Sequence, residues 1–193
     1  MPRPPLSRAV VVEQARTLVR ADGVQGVGLR RVARELGVTA PALYAHVSDY
    51  DDLLAAVAEG EFARLRAAFE AVDVTDPLDR LRALGRAYVA HARAEPHLHR
   101  LMFRYPPKLA EAGVPLDFGP ATDAFAVALA AVEQAIDRDL LAVTDPIVVA
   151  LALWSAAHGV AEVLLMGFDF DDATAQAVTE VAVDASVDGL RRP

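Results

Sequence analysis

Residues 29–54 read LRRVARELGVTAPALYAHVSDYDDLL, and the spacing of apolar side chains in this stretch decides the fold. Leu29, Val32, Ala33 and Leu36 recur at i, i+3, i+4 and i+7, which lays one apolar stripe along a first short helix. Gly37 ends that helix, because glycine enters the left-handed C-cap conformation without a Cβ clash. Thr39 stands at the N-cap of a second helix and Pro41 in its first turn, where a missing N–H matters little. Leu43 and Val47, four apart, turn this second helix (39–47) against the first. Ala40, Pro41, Tyr44 and Ala45 are then expected on the outward face. Two short helices at a tight turn form a helix-turn-helix. The second has its inner side consumed by packing and a small, aromatic outer side, a shape suited to a DNA major groove.

The remaining composition narrows the class. A chain of 193 residues with 54% apolar residues can bury a substantial core and is not expected to be disordered. The absence of cysteine excludes a disulfide framework, a thiolate metal site and a thiol nucleophile. MPRPPLSR runs straight into an amphipathic helix with no apolar leader segment, so a cytoplasmic protein is expected. A formal net charge of −8 argues against DNA binding until its distribution is considered. Residues 1–48 hold seven arginines (3, 8, 16, 20, 30, 31 and 34) against Glu13, Asp22 and Glu35, a net of +4 that leaves −12 for the rest. A basic head on an acidic body suits a protein of which one end meets phosphate.

The chain in order reads as an all-α protein of about nine helices. Residues 1–6 form an arm from which Arg3, with Arg8 just after it, could reach a groove or a phosphate, or else stay solvated at a free terminus. A helix is expected from Ser7 to Ala21, then the helix-turn-helix, then a long helix from 49 to 72 that links head to body. Further helices are expected over 76–94, 96–104, 121–139, 146–166 and 171–190. The proline-rich segment 105–120 reads as a loop long enough to gate a cavity. The domain organisation expected is a helix-turn-helix DNA-binding domain over 1–48 and a dimerisation domain over 49–193, to which the resemblance described below adds ligand binding. From Pro146 to Met166 only Ser155, His158 and Glu162 interrupt an apolar run. A membrane span of that length is disfavoured by its central His and Glu. A soluble helix that is apolar all round must be covered all round, one side by its own core and the other by a partner. Together with Ala175, Val178, Val181, Ala182, Ala185 and Val187 of the last helix, it would build a four-helix interface between two subunits.

The segments VARELGV, TAPALYAHV and DDLL resemble the TetR family of bacterial transcriptional regulators. The match rests on the spacing of Ala33, Gly37, Pro41, Leu43-Tyr44, His46-Val47 and Leu53-Leu54. Trp154-x-x-x-His158-Gly159 is similar to the Trp-His-Gly subclass of C-terminal domains in that family, with Gly159 admitting a close helix neighbour. The resemblance implies a three-helix DNA-binding head and a helical body that dimerises and binds a small effector. Facing direction and resemblance together make Thr39, Tyr44 and His46 candidates for phosphate contact, since hydroxyl, imidazole and helix-terminal N–H groups donate to phosphate oxygens. Ala40, Pro41 and Ala42 fall where the family reads bases and offer apolar contact, as to thymine methyl groups. Arg30 occupies a position that often contacts DNA in the family. Tyr50 stands where a lysine usually starts the fourth helix and is therefore a further DNA-contact candidate, although Asp49, Asp51 and Asp52 flank it, and Gly28 replaces a usual Thr or Ser. For the effector, Tyr88, His91, Met102, Phe103, Phe125, Trp154 and His158 are the candidate lining, which favours a largely apolar ligand.

Three other chemistries are weighed against simpler readings. Ser155, His158 and Glu162 share a face and have a hydrolase composition, yet no strained turn or oxyanion hole accompanies them, and a plain His158–Glu162 pair is expected instead. His91, His97 and His99 diverge on a helix, so no metal site is expected. Gly23, Gly26 and Gly28 follow no strand and do not form a dinucleotide loop. The expectation is a non-enzymatic, cofactor-free, homodimeric regulator, a repressor that leaves its operator when the effector binds. The alternative is an α-helical ligand-binding protein or hydrolase-like enzyme with a vestigial helix-turn-helix.

Overall fold

A computed structural model describes residues 5–105 and 120–193, with the side chains of 120–122 left aside. The expected gate at 105–120 lies outside the described residues except at its ends, as do Arg3 and Lys108. Among the described residues nine α-helices run in the order α1 (Arg8–Asp22), α2 (Leu29–Leu36), α3 (Ala40–Leu43), α4 (Tyr50–Glu70), α5 (Pro77–Ala94), α6 (Pro96–Arg104), α7 (Pro120–Asp137), α8 (Pro146–Leu164) and α9 (Asp172–Asp188). There is no strand among the described residues, only an isolated bridge between Leu141 and Arg191.

The helix starts follow side-chain capping. Ser7, Asp49, Asp76, Asp145 and Asp171 each accept a hydrogen bond from a first-turn N–H, satisfying donors that the helix itself leaves unpaired. Gly37 closes α2 at φ 69°, ψ 31°, the left-handed geometry expected of it. The second helix of the motif is shorter than the 39–47 expected. It spans Ala40–Leu43 and continues as turns through Tyr44–His46, with Tyr44 N–H donating to Pro41 and His46 N–H to Leu43. Thr39 occupies the N-cap position, but its hydroxyl makes no capping bond.

Two apolar clusters organise the packing. Val11, Ala15 and Val19 of α1, Val32 and Ala33 of α2, Leu43 of α3 and Val47 form the first. It also takes Leu53, Leu54, Val57 and Ala58 from α4, and Leu98 and Leu101 from α6. The second gathers Phe62, Leu65 and Phe69 of α4, Leu81, Leu84 and Tyr88 of α5, Met102 of α6, and residues of α7, α8 and α9. Helices α4 and α6 therefore serve both cores, with α4 extending over about 30 Å at 1.5 Å per residue. In the body α5 and α9 approach closely at Gly85, where a Cβ would meet Val183 at 3.1 Å.

The covering of α8 is partial. It is the one helix among the described residues long and apolar enough to cross a membrane, and 28% of its apolar window is buried within the chain. Ile147, Val148, Leu151, Trp154 and Val163 are exposed, and on α9 so are Val178 and Val181. A Cβ added at Gly159 would meet nothing within 4 Å, so the close neighbour expected there is not found among the described residues.

Candidate nucleic-acid interface and ligand cavity

The helix-turn-helix leaves a continuous exposed rim. Leu43 and Val47 are buried while Thr39, Pro41, Tyr44 and Ala45 face solvent, Tyr44 with 57% of its surface. Ala40, Ala42 and the His46 ring are half-buried. Arg30 is exposed on α2, whereas Arg31 is tied to Asp22 at 2.5 Å and to the Gly26 carbonyl at 2.6 Å. Tyr50 does not join this rim. Its ring packs on the first core, its hydroxyl donates to the Val24 carbonyl at 3.1 Å, and burial raises its pKa. Packing pulls the ring inward because Tyr50 opens α4 one turn before Leu53 and Leu54.

Arg8 is held within the chain as well. Its guanidinium grips Asp52 through two bonds at 2.6 and 2.9 Å and donates to the His46 carbonyl at 2.9 Å, instead of pointing to a groove. That guanidinium and the Ser48 amide hold the Asp52 carboxyl well below the usual carboxylate range. Asp49 caps α4, and Asp51 accepts from the Tyr105 hydroxyl at 2.8 Å. The three acids beside the expected phosphate path are thus engaged within the chain. Sequence spacing gave no sign of the pairing of Arg8 with Asp52, which are 44 positions apart.

Within the body lies a cavity of about 570 Å³, walled by α4, α5, α6, α7, α8 and α9. Tyr88, Phe103, Phe125 and Trp154, four of the seven residues expected to line it, do so, together with Phe62, Leu65, Phe69, Leu81 and Leu84. The polar side-chain atoms on the wall belong to Tyr88, Trp154 and Ser186. The Ser186 hydroxyl is spent on the Val183 carbonyl at 2.7 Å. The other three expected residues are not in the lining. Met102 is fully buried in the core, and His91 points at Glu61 at 4.0 Å with burial lowering its pKa. His158 sits behind the wall, its Nδ1 sharing a hydrogen bond of 2.7 Å with Tyr88 Oη. Burial drives the Tyr88 hydroxyl up, so it stays protonated.

The polar residues of α8 do not form the expected pair. Ser155 donates to its own helix at the Leu151 carbonyl (2.7 Å) and meets neither partner of a hydrolytic triad. His158 turns to Tyr88, while Glu162 faces His99 Nε2 of α6 at 3.4 Å. His99 is 1% exposed, and burial pushes its pKa down to about 4 while Glu162 pulls the other way. Its imidazole is therefore neutral at pH 7.

Between the two cores lies a charged cluster that the sequence did not announce. Glu61 of α4, fully buried, accepts from Arg16 Nε of α1 at 2.5 Å and from Arg64 Nη1 at 3.0 Å. Arg16 and Arg20 also reach Glu95, at 3.5 and 2.9 Å, where α5 gives way to α6.

Comparison with known proteins assigns both halves. Residues 11–57 match the model of bacterial regulatory proteins of the tetR family, and residues 81–186, more than half of the chain, match the tetracyclin repressor-like C-terminal domain. The chain belongs to the TetR family. No curated protein is significantly similar to this TetR-family chain in sequence. A protein of unknown function from Rhodococcus sp. RHA1 is 31% identical, with 96% of this chain and 95% of that one covered and a TM-score of 0.81. A putative transcriptional regulator of the TetR family from Vibrio parahaemolyticus is 21% identical over 96% and 99% of the two chains, at a TM-score of 0.67. A single-residue variant of TetR from Acinetobacter baumannii AYE, in complex with minocycline, shares the fold at a TM-score of 0.69 and 18% identity, over 95% and 96%. The TetR-family fold is thus shown, together with a DNA-binding helix-turn-helix and a transcription-regulator class.

Proposed function

We propose that this TetR-family regulator is a cytoplasmic, non-enzymatic homodimeric repressor. It would bind a pseudo-palindromic operator through residues 1–48 and release it when a largely apolar small molecule enters the body formed by 49–193. The observation that carries this reading is the shared use of α4 and α6. Each puts one stretch into the head core and another beside the cavity, as with Leu54 and Phe62 of α4 or Leu101 and Phe103 of α6. A ligand that pushes Phe62 or Phe103 outward must therefore tilt the helices on which the head is seated. Tyr44 and Pro41, exposed on the rim, are the groove-facing contacts, with Arg30, Thr39 and His46 available to phosphate.

An apolar wall with a single ring-bearing hydroxyl suits an aromatic or aliphatic molecule that offers one hydrogen bond. The relative complexed with minocycline supports a drug-sized occupant for this fold. The exposed apolar faces of α8 and α9 support the dimer, since such a patch on a soluble chain asks for a partner.

Fluorescence anisotropy with DNA from upstream of the protein's own gene tests the reading. Binding that weakens with salt is expected. An apolar compound that raises thermal stability should lower DNA affinity, and DNA should lower the compound's affinity by the same factor. Salt-insensitive or absent DNA binding would overturn the repressor reading, and a bound compound with no effect on DNA would remove its allosteric part.

A further inference from the structure

The three polar residues left behind the cavity wall form a group with a chemistry of its own. His99 of α6, His158 and Glu162 of α8 place one ligand-type atom each within 4.8 Å of one another. His99 Nε2 is buried, has no hydrogen-bond partner, and faces Glu162 Oε1 at 3.4 Å. An unpaired imidazole nitrogen inside a protein is costly unless something binds it. Imidazole nitrogens and carboxylate oxygens are both ligands of metal ions, and the three atoms here lie close enough together to share one ion.

We propose that His99, His158 and Glu162 bind one divalent first-row transition ion of the zinc class, which ties α6 to α8 behind the ligand cavity. Two imidazoles and a carboxylate are a donor set for zinc, with a fourth position left for water or an effector atom. Glu162 retains 42% of its side-chain surface, so the ion has a route from solvent. Tyr88 provides the outer support. Uptake of the ion through His158 Nε2 leaves the Nδ1–Tyr88 bond intact, and that bond fixes tautomer and ring orientation. Tyr88 also lines the cavity, so an occupant that recruits its hydroxyl would disturb the ion's ligand. The site stands on these residues alone and does not depend on the repressor reading.

The test uses the full chain, stripped with chelator and titrated with Co²⁺ and Zn²⁺ at pH 7.5. Visible d–d absorption from one Co²⁺ per chain, displaced by Zn²⁺, is expected. Glu162→Gln and His158→Gln should each weaken Co²⁺ binding by about tenfold or more, while His46→Gln and His97→Gln leave it unchanged. Folding of each variant is verified by helical circular dichroism, and Glu162→Gln, at a half-exposed position, guards against a result that reflects misfolding. Absence of a d–d band in the wild-type chain overturns the proposal. So does stoichiometric binding that survives both Glu162→Gln and His158→Gln.

Discussion

Replacing Glu61 by glutamine gives the sharpest test of how the two cores are joined. The side chain keeps its size and loses its charge in a place where it is fully buried and Arg16 is 13% exposed. A charge-assisted hydrogen bond such as Arg16 Nε to Glu61 at 2.5 Å contributes about 1.5–3 kcal/mol net. The bond from Arg64 adds only about 0.5 kcal/mol, because that arginine is 42% exposed and its charge is screened by water. Arg16 retains Glu13 and Glu95, each at 3.5 Å, which softens the loss. Glu61→Gln is therefore expected to destabilise the chain by roughly 2–3 kcal/mol. Arg16→Met combined with Glu61→Leu should recover much of that, since the pair's desolvation cost leaves with it. Urea unfolding followed by circular dichroism, at constant protomer concentration and pH 7, reads both numbers. A loss under about 0.5 kcal/mol for Glu61→Gln, or a double variant no more stable than the single one, would refute the assignment of this pair as a buried junction.

Five further outcomes follow from the same structure. Gly28→Ser should stabilise by about 0.5–1 kcal/mol in thermal melts, because Gly28 is the extended N-cap of α2 and nothing lies within 4 Å of an added Cβ. Tyr50→Phe should cost about 1 kcal/mol of stability through the lost Val24 bond and leave DNA affinity intact. Tyr44→Phe should do the reverse, weakening DNA binding without shifting the melt. Because the Asp52 carboxyl is held down by Arg8, its contribution is fully present above the ordinary value of about 3.9 and disappears as pH falls through the lower folded value. Melting temperatures of wild type and Asp52→Asn should then converge as pH drops below about 4. Val181→Glu, which charges a residue 70% exposed on the apolar face of α9, should shift the particle mass from two chains to one in sedimentation, with helical content unchanged.

The backbone was legible in the sequence because its signals act within a turn of helix. Caps at Ser7, Asp49, Asp76, Asp145 and Asp171, the left-handed Gly37, and apolar residues three and four apart each depend on neighbours in the chain. The exposed rim at Pro41 and Tyr44 was legible for the same reason, since burying Leu43 and Val47 leaves those two no other side. Polar partnerships were not. Spacing within α8 predicted a bond between His158 and Glu162, four apart, but α5 and α6 bring Tyr88 to the first and His99 to the second. The same applies to Arg8 with Asp52 and Arg16 with Glu61, and to the choice of which aromatics face the cavity and which apolar residues, like Met102, fill the core. Helix periodicity tells which stripe of a helix is buried. Which residue on a neighbouring helix meets that stripe depends on crossing angles and axial shifts, which are set only when all the helices pack together.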